Sequence, residues 1–163
     1  MPADPDRADF ELPRFLPYLL THVATRVSED LSRLYAEQAQ LAMPDFRVLV
    51  WLHHLGRLSA QEVAERAGMD KATVSRAVVR LEARELISRA TDPGDQRSRT
   101  LALTRKGRGL LTRLLPRVLD WEASLLAPFS ATERRQLTSL LAKLEARLDV
   151  LGGGGEEASR AGD

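Results

Sequence analysis

From about Pro13 to Gln40 the apolar residues Phe15, Leu16, Leu19, Leu20, Val23, Val27, Leu31 and Leu34 recur at steps of three and four. That spacing lays them along one side of a helix. Pro13 and Pro17 fall near its start, where a missing N–H breaks no intrahelical bond. Pro44 opens a second helix over about 44–55, with Asp45 in its first turn and Gly56 as its stop. Its apolar residues are Phe46, Val48, Leu49, Trp51 and Leu52. Ser59-Ala60-Gln61-Glu62 has capping-box spacing and predicts a short helix over 60–66 with Val63 and Ala67 inward, ended by Gly68. Asp70 then caps a helix over about 71–84 that buries Val74, Val78 and Leu81. Two short helices joined across a tight glycine turn form a helix-turn-helix.

The pattern then changes period. Leu86-Ile87-Ser88-Arg89 and Thr100-Leu101-Ala102-Leu103 read as strands, and Asp92-Pro93-Gly94-Asp95 between them is turn chemistry. A hairpin behind a helix-turn-helix makes a winged helix. Thr104 caps a long helix over about 105–127 with a wide leucine side, and Pro116 within it predicts a kink. Ser130-x-x-Glu133 is a second capping box, opening a last helix to about Val150. The predicted fold class is therefore mostly α with a small β-hairpin wing. Residues 1–11 and 152–163, the latter GGGGEEASRAGD, are expected to be flexible.

Charge sharpens this picture. The net charge is only +1. From Glu65 to Arg113, however, there are 12 Lys and Arg against 6 Asp and Glu, a net of +6, so the rest carries −5. One basic region between acidic flanks suits a surface that meets a polyanion. Within it, the predicted helix over 71–84 begins with Lys71, Ala72, Thr73, Ser75 and Arg76. Short or hydrogen-bonding side chains at a helix N-terminus are what the DNA major groove admits. Lys71, Thr73, Ser75 and Arg76 are thus candidate DNA contacts, and Ala72 leaves room for a thymine methyl. Arg80 and Arg84 extend the basic edge or pair with Glu82, Glu85 or solvent.

The run "KATVSRAVVRLEARELI", the Asp95-x-Arg97 pair and the following Leu103-Thr104-x-x-Gly107 together resemble the MarR family of multiple-antibiotic-resistance regulators. The resemblance is good over residues 45–110 and extends to the arrangement of flanking helices. It implies that Arg97 enters the minor groove and that Asp95 positions it by a salt bridge. Arg99 is then left to meet phosphate or solvent. It also implies a homodimer with interlocked end helices, hence a palindromic operator. The leucine content supports a partner independently, because the end helices carry more leucine than one small winged-helix core can bury. The expected organisation is an N-terminal dimerisation helix over 12–43, a winged helix-turn-helix over 44–104 and C-terminal dimerisation helices over 105–151.

The resemblance further implies a repressor released by a small aromatic or phenolic anion. Tyr18, His22 and Arg26 share one side of the first helix, and Trp51, His53 and His54 crowd the end of the second. Tyr18, His22, Arg26, Trp51 and His54 are the candidate effector residues, a cation pairing with a carboxylate while a ring stacks. With no cysteine there is no thiol switch. A metal site is not expected either, since adjacent His53 and His54 diverge by about 100° on a helix. No cofactor is expected. No apolar run is long enough to span a bilayer, and MPADPDRADF lacks signal-peptide segments, so the expected compartment is the cytoplasm. No Gly-rich cofactor loop and no Ser/His/Asp context argues for an enzyme. Two other readings remain: a winged helix used only for protein contacts, and a regulator of this kind without an effector.

Overall fold

The computed structural model describes residues 10–92 and 95–160, with the side chains of 90–99 and 152–160 outside that set. A 3-10 turn at Leu12–Arg14 leads into α1 (Leu16–Ala39), whose first turn accommodates Pro17. Gln40 ends α1 in the left-handed region, at φ 51°. Helix α2 (Met43–Leu55) stops at Gly56, whose φ of 84° suits a residue without a Cβ. The order continues with β1 (Arg57–Ser59), α3 (Ala60–Ala67), α4 (Lys71–Ala83), β2 (Ile87–Asp92), β3 (Asp95–Leu103), α5 (Arg105–Leu125) and α6 (Ala131–Arg160).

Both capping boxes form. Ser59 N donates to Glu62 Oε2 at 2.7 Å and Glu62 N to Ser59 Oγ at 3.2 Å. Ser130 and Glu133 repeat this at 2.8 and 3.3 Å. Gly68 closes α3 in the left-handed region at φ 59°. The second buried residue of α3 is Ala64, not Ala67, which is only half-buried. Ala64 lies one position from Val63, and the two together face the core.

The sheet has three antiparallel strands in the order β1-β3-β2. Strand β1 has no counterpart in the sequence reading. Three residues are too few to show an alternation, and β1 forms because β3 offers an edge on which Leu58 pairs with Leu101. Strands β2 and β3 pair from Ile87↔Leu103 out to Thr91↔Arg99, with an irregularity between Thr91 and Asp92. The hairpin is therefore longer than the two four-residue segments predicted. Pro93 and Gly94, assigned to its turn, lie outside the described residues.

Thr104 caps α5 by accepting from Gly107 N at 3.0 Å, and its hydroxyl donates to Glu85 O at 2.7 Å. A Cβ on Gly107 would stand 2.0 Å from Leu86 O. The threonine and the glycine of Leu103-Thr104-x-x-Gly107 thus do one job. They seat the start of α5 directly on the backbone that joins α4 to β2. Helix α5 runs on through Pro116 as one helix.

The chain divides into two compact units, residues 1–118 and 119–163. The core of the first gathers Tyr35, Leu41, Leu49, Leu52, Val63, Val74, Leu81, Leu101 and Leu111 from α1 through α5. Tyr35 stacks on Phe46 with ring centroids 4.0 Å apart. Burial pushes its hydroxyl up to about 12, against the opposing pull of the Arg47 guanidinium. The N-terminal half of α1 is different: Phe15, Leu16, Leu19, Leu20 and Val23 are all exposed. In the second unit, Leu137, Leu140, Leu141, Leu144, Leu148 and Leu151 share one side of α6, and each is exposed. The sequence reading ended this helix near Val150, but the backbone continues as helix to Arg160 through Gly152–Gly155. Extending a formed helix adds one hydrogen bond per residue fixed, so glycines at about 1 kcal/mol each weaken it without forbidding it.

Candidate nucleic-acid interface

Helix α4 is set by its cap and its buried side. Asp70 accepts from Thr73 N at 2.8 Å and from Thr73 Oγ1 at 2.6 Å. These bonds hold the Asp70 carboxyl below its ordinary value. Val74, Ala77, Val78 and Leu81 are buried, as a helix packed on α3 and the sheet requires. The remaining positions must face outward. Lys71, Ala72, Ser75 and Arg76 are exposed.

The predicted contact residues do not behave alike. Lys71 makes no hydrogen bond or ion pair among the described residues, so its ammonium is uncommitted. Thr73 is half-buried, and its hydroxyl accepts from Arg76 Nη2 at 3.0 Å while donating to Asp70. It orients Arg76 and has no donor left to offer. Ser75, with Lys71, Gln61 and Arg89, lines a cleft of about 270 Å³ between the start of α3, one side of α4 and the sheet. Arg89 is anchored there by Glu82 at 2.8 Å. Asp95, Arg97 and Arg99 lie on β3, beyond its pairing with β1, and their side chains are outside the described residues.

Arg80 and Arg84 are committed to partners within the fold. Arg80 grips Asp45 with two nitrogens, Nη2 to Oδ1 at 2.7 Å and Nε to Oδ1 at 3.1 Å. Asp45 is only 4% exposed and also accepts from Ala42 N at 3.1 Å. Arg84 donates to Gln40 O at 2.7 Å and Ala39 O at 2.9 Å, closing the C-terminal end of α1. Neither pairs with Glu82 or Glu85, whose partners are Arg89 and Lys106. The reading of Asp45 as a helix-dipole residue alone was too small. Its one sequence signal was the lone acidic residue of α2, set beside Phe46, Val48 and Leu49.

The effector candidates form two separate groups. Tyr18 stacks on His22 with centroids 5.9 Å apart on α1, and Trp51 meets His54 edge-on at 6.2 Å on α2. No ring contact, hydrogen bond or ion pair joins the groups among the described residues. Tyr18, His22, Arg26 and His54 are exposed, and Trp51 is half-buried against the core. No group of three or more metal-ligating side chains occurs among the described residues. No described helix is long and apolar enough to cross a membrane.

Comparison with known proteins places this geometry. The sequence model of the MarR family matches residues 41–98. The transcriptional repressor NicR of Pseudomonas putida is 30% identical over 135 residues, covering 78% of this chain and 85% of that protein. A MarR family transcriptional regulator from Silicibacter pomeroyi superposes with a TM-score of 0.76 at 32% identity, covering 91% of this chain and 99% of the other. BpsR of Bordetella bronchiseptica, whose DNA binding is regulated by 6-hydroxynicotinic acid, superposes with a TM-score of 0.73 at 26% identity, covering 85% and 98%.

Proposed function

Because this chain belongs to the MarR family of transcriptional regulators, we propose that it works as a homodimeric repressor on a palindromic operator. Helix α4 enters the major groove and the β2–β3 hairpin reaches the adjacent minor groove. One observation carries this reading: α4 turns its polar, small-residue side, with uncommitted Lys71 and exposed Arg76, away from the core. In this arrangement Lys71, Ser75 and Arg76 touch DNA, Thr73 acts through Arg76, and Arg97, braced by Asp95, probes the minor groove beside Arg99. The exposed leucines of α6 and the exposed apolar half of α1 supply the surface that a second copy covers. The protein then works in the cytoplasm.

Gel-shift titration against duplexes recovered from a random pool tests the assignment. Arg97→Ala and Arg76→Ala are each expected to weaken binding to the recovered site at least tenfold. Affinity equal to wild type in both variants sinks the DNA-reading arrangement. An absence of DNA retardation at low salt favours a protein-contact module instead.

The effector in this reading is a small aromatic anion. Support comes from BpsR and its hydroxynicotinic acid, and from rings paired with histidines on both α1 and α2. Calorimetric titration with benzoate and 6-hydroxynicotinic acid, on wild type and on His22→Ala and Trp51→Phe, decides which group takes part. Binding unchanged in both variants removes Tyr18, His22, Arg26, Trp51 and His54 as a pocket.

A further inference from the structure

From α2 through the first turns of α5, among the described residues, only Leu55 and Val79 are large apolar side chains left exposed. Val79 is the more exposed of the two, at 58%. It sits in the third turn of α4, opposite the buried side formed by Val74, Ala77, Val78 and Leu81. At about 100° per residue, Val79 falls within about 20° of Ala72 on the outermost line of the helix. Ser75 and Arg76 flank that line by about 60° and 40° on either side. Apart from Leu55 at the end of α2, the other exposed large apolar side chains lie on the end helices and their connections, which a second copy would cover; Val79 does not.

We infer that Val79 is a specificity-determining residue that reads the methyl group of a thymine in the major groove. This rests on the proposed role of α4 in DNA binding. The groove edge of thymine is the one base edge that presents an apolar group. A valine packs against that methyl, yet offers no partner to the amino group of cytosine or adenine, which would be left without its water. The position also runs against local preference. Valine is a poorer helix former than the lysine, glutamate or alanine that a purely solvent-facing site favours. Ala72 and Val79 are about 10 Å apart along the axis, or roughly three base-pair steps of 3.4 Å. Each half-site therefore carries one thymine near Ala72 and a second about three steps away near Val79, with the polar contacts of Ser75 and Arg76 between them.

The experiment uses the full chain and duplexes selected from a random pool by the wild-type protein. Each thymine of the selected site is replaced singly by deoxyuridine, which removes only the methyl group. At the position facing Val79 in each half-site, wild type is expected to bind the deoxyuridine duplex about fourfold more weakly, the scale of one buried methyl group. Val79→Ala, which leaves the core untouched, is expected to bind both duplexes equally at that position. A second selection with Val79→Asn is expected to shift the preferred base there away from thymine. A deoxyuridine profile for Val79→Ala identical to that of wild type overturns the assignment, as does a wild-type profile without any sensitive position. Failure to recover any specific duplex overturns the DNA-binding proposal itself and is told apart at the first selection.

Discussion

Between Leu41 and Leu114 every leucine except Leu55 and Leu110 is buried, whereas the leucines of α6 from Leu137 to Leu151 are all exposed. Where they lie on helices the two sets follow the same spacing, as in Leu49 and Leu52 or Leu111 and Leu114 beside Leu137, Leu141, Leu144 and Leu148. Helix α1 carries the contrast within one element: Tyr35 and Ala39 lie in the core, while Phe15 to Val23 do not. Periodicity thus reports which side of a helix needs cover. It does not report whether the same chain provides it. The winged-helix region covers its own leucines, whereas the leucines of α6 and the start of α1 are left uncovered by this chain.

The contrast can be broken most forcefully at Gly107. In Gly107→Ala the new Cβ meets Leu86 O, and neither backbone can yield cheaply. A loss of about 3 kcal/mol or more in urea denaturation is expected. A variant as stable as wild type means that α5 is not seated as described. Arg80→Ala comes next, since it strands the buried Asp45 carboxylate with only the Ala42 N–H. About 3 kcal/mol should be lost by the same assay, while Lys71→Ala should stay within about 0.5 kcal/mol. Comparable losses in the two arginine and lysine variants would erase the distinction drawn between them.

On the other side of the contrast, Leu140→Lys with Leu144→Lys should leave the winged helix folded but yield monomers in sedimentation. Each leucine forfeits about 2 kcal/mol of burial against a partner. The midpoint of thermal unfolding should rise with protein concentration in wild type and not in this double variant. Smaller still is Ser59→Ala, at about 1 kcal/mol for a lost cap. The smallest effect is acidic. Hydrogen bonds from Ser59 hold Glu62 below its ordinary value of 4.5. Its contribution is therefore complete above that value and is lost as pH falls through the lowered one. A shallower acid limb in Glu62→Gln than in wild type is the expected outcome of a pH-dependent denaturation series.

What was legible in the sequence was local. Ser59 and Glu62, Ser130 and Glu133, and Asp70 and Thr73 meet across three residues, so their spacing alone specifies the bonds. Gly56 and Gly68 likewise mark their own helix ends. What was not legible joins distant segments. Asp45 meets Arg80 across 35 residues, and Arg84 reaches Ala39 across 45. A run of basic residues looks uniform in sequence, because nothing local distinguishes an arginine that faces solvent from one that closes another helix. The same limit hid β1, whose three residues are a strand only because β3 lies beside them. It also let Tyr18 and Trp51 be grouped by type although no contact joins their clusters.

The internal partners of Arg80 and Arg84 limit what α4 would displace from DNA in the proposed complex. Four basic residues stand between Lys71 and Arg84, but Arg80 and Arg84 already have partners inside the protomer. In the proposed DNA complex only Lys71 and Arg76 would remain from this helix to replace the cations condensed on the phosphates. At a slope of about −0.9 per phosphate neutralised, two such contacts contribute about −1.8 per protomer to the change of log affinity with log salt. Counting every cation of the helix would double that figure. A shallow salt dependence would thus be a thermodynamic trace of how α4 is fastened to α1 and α2.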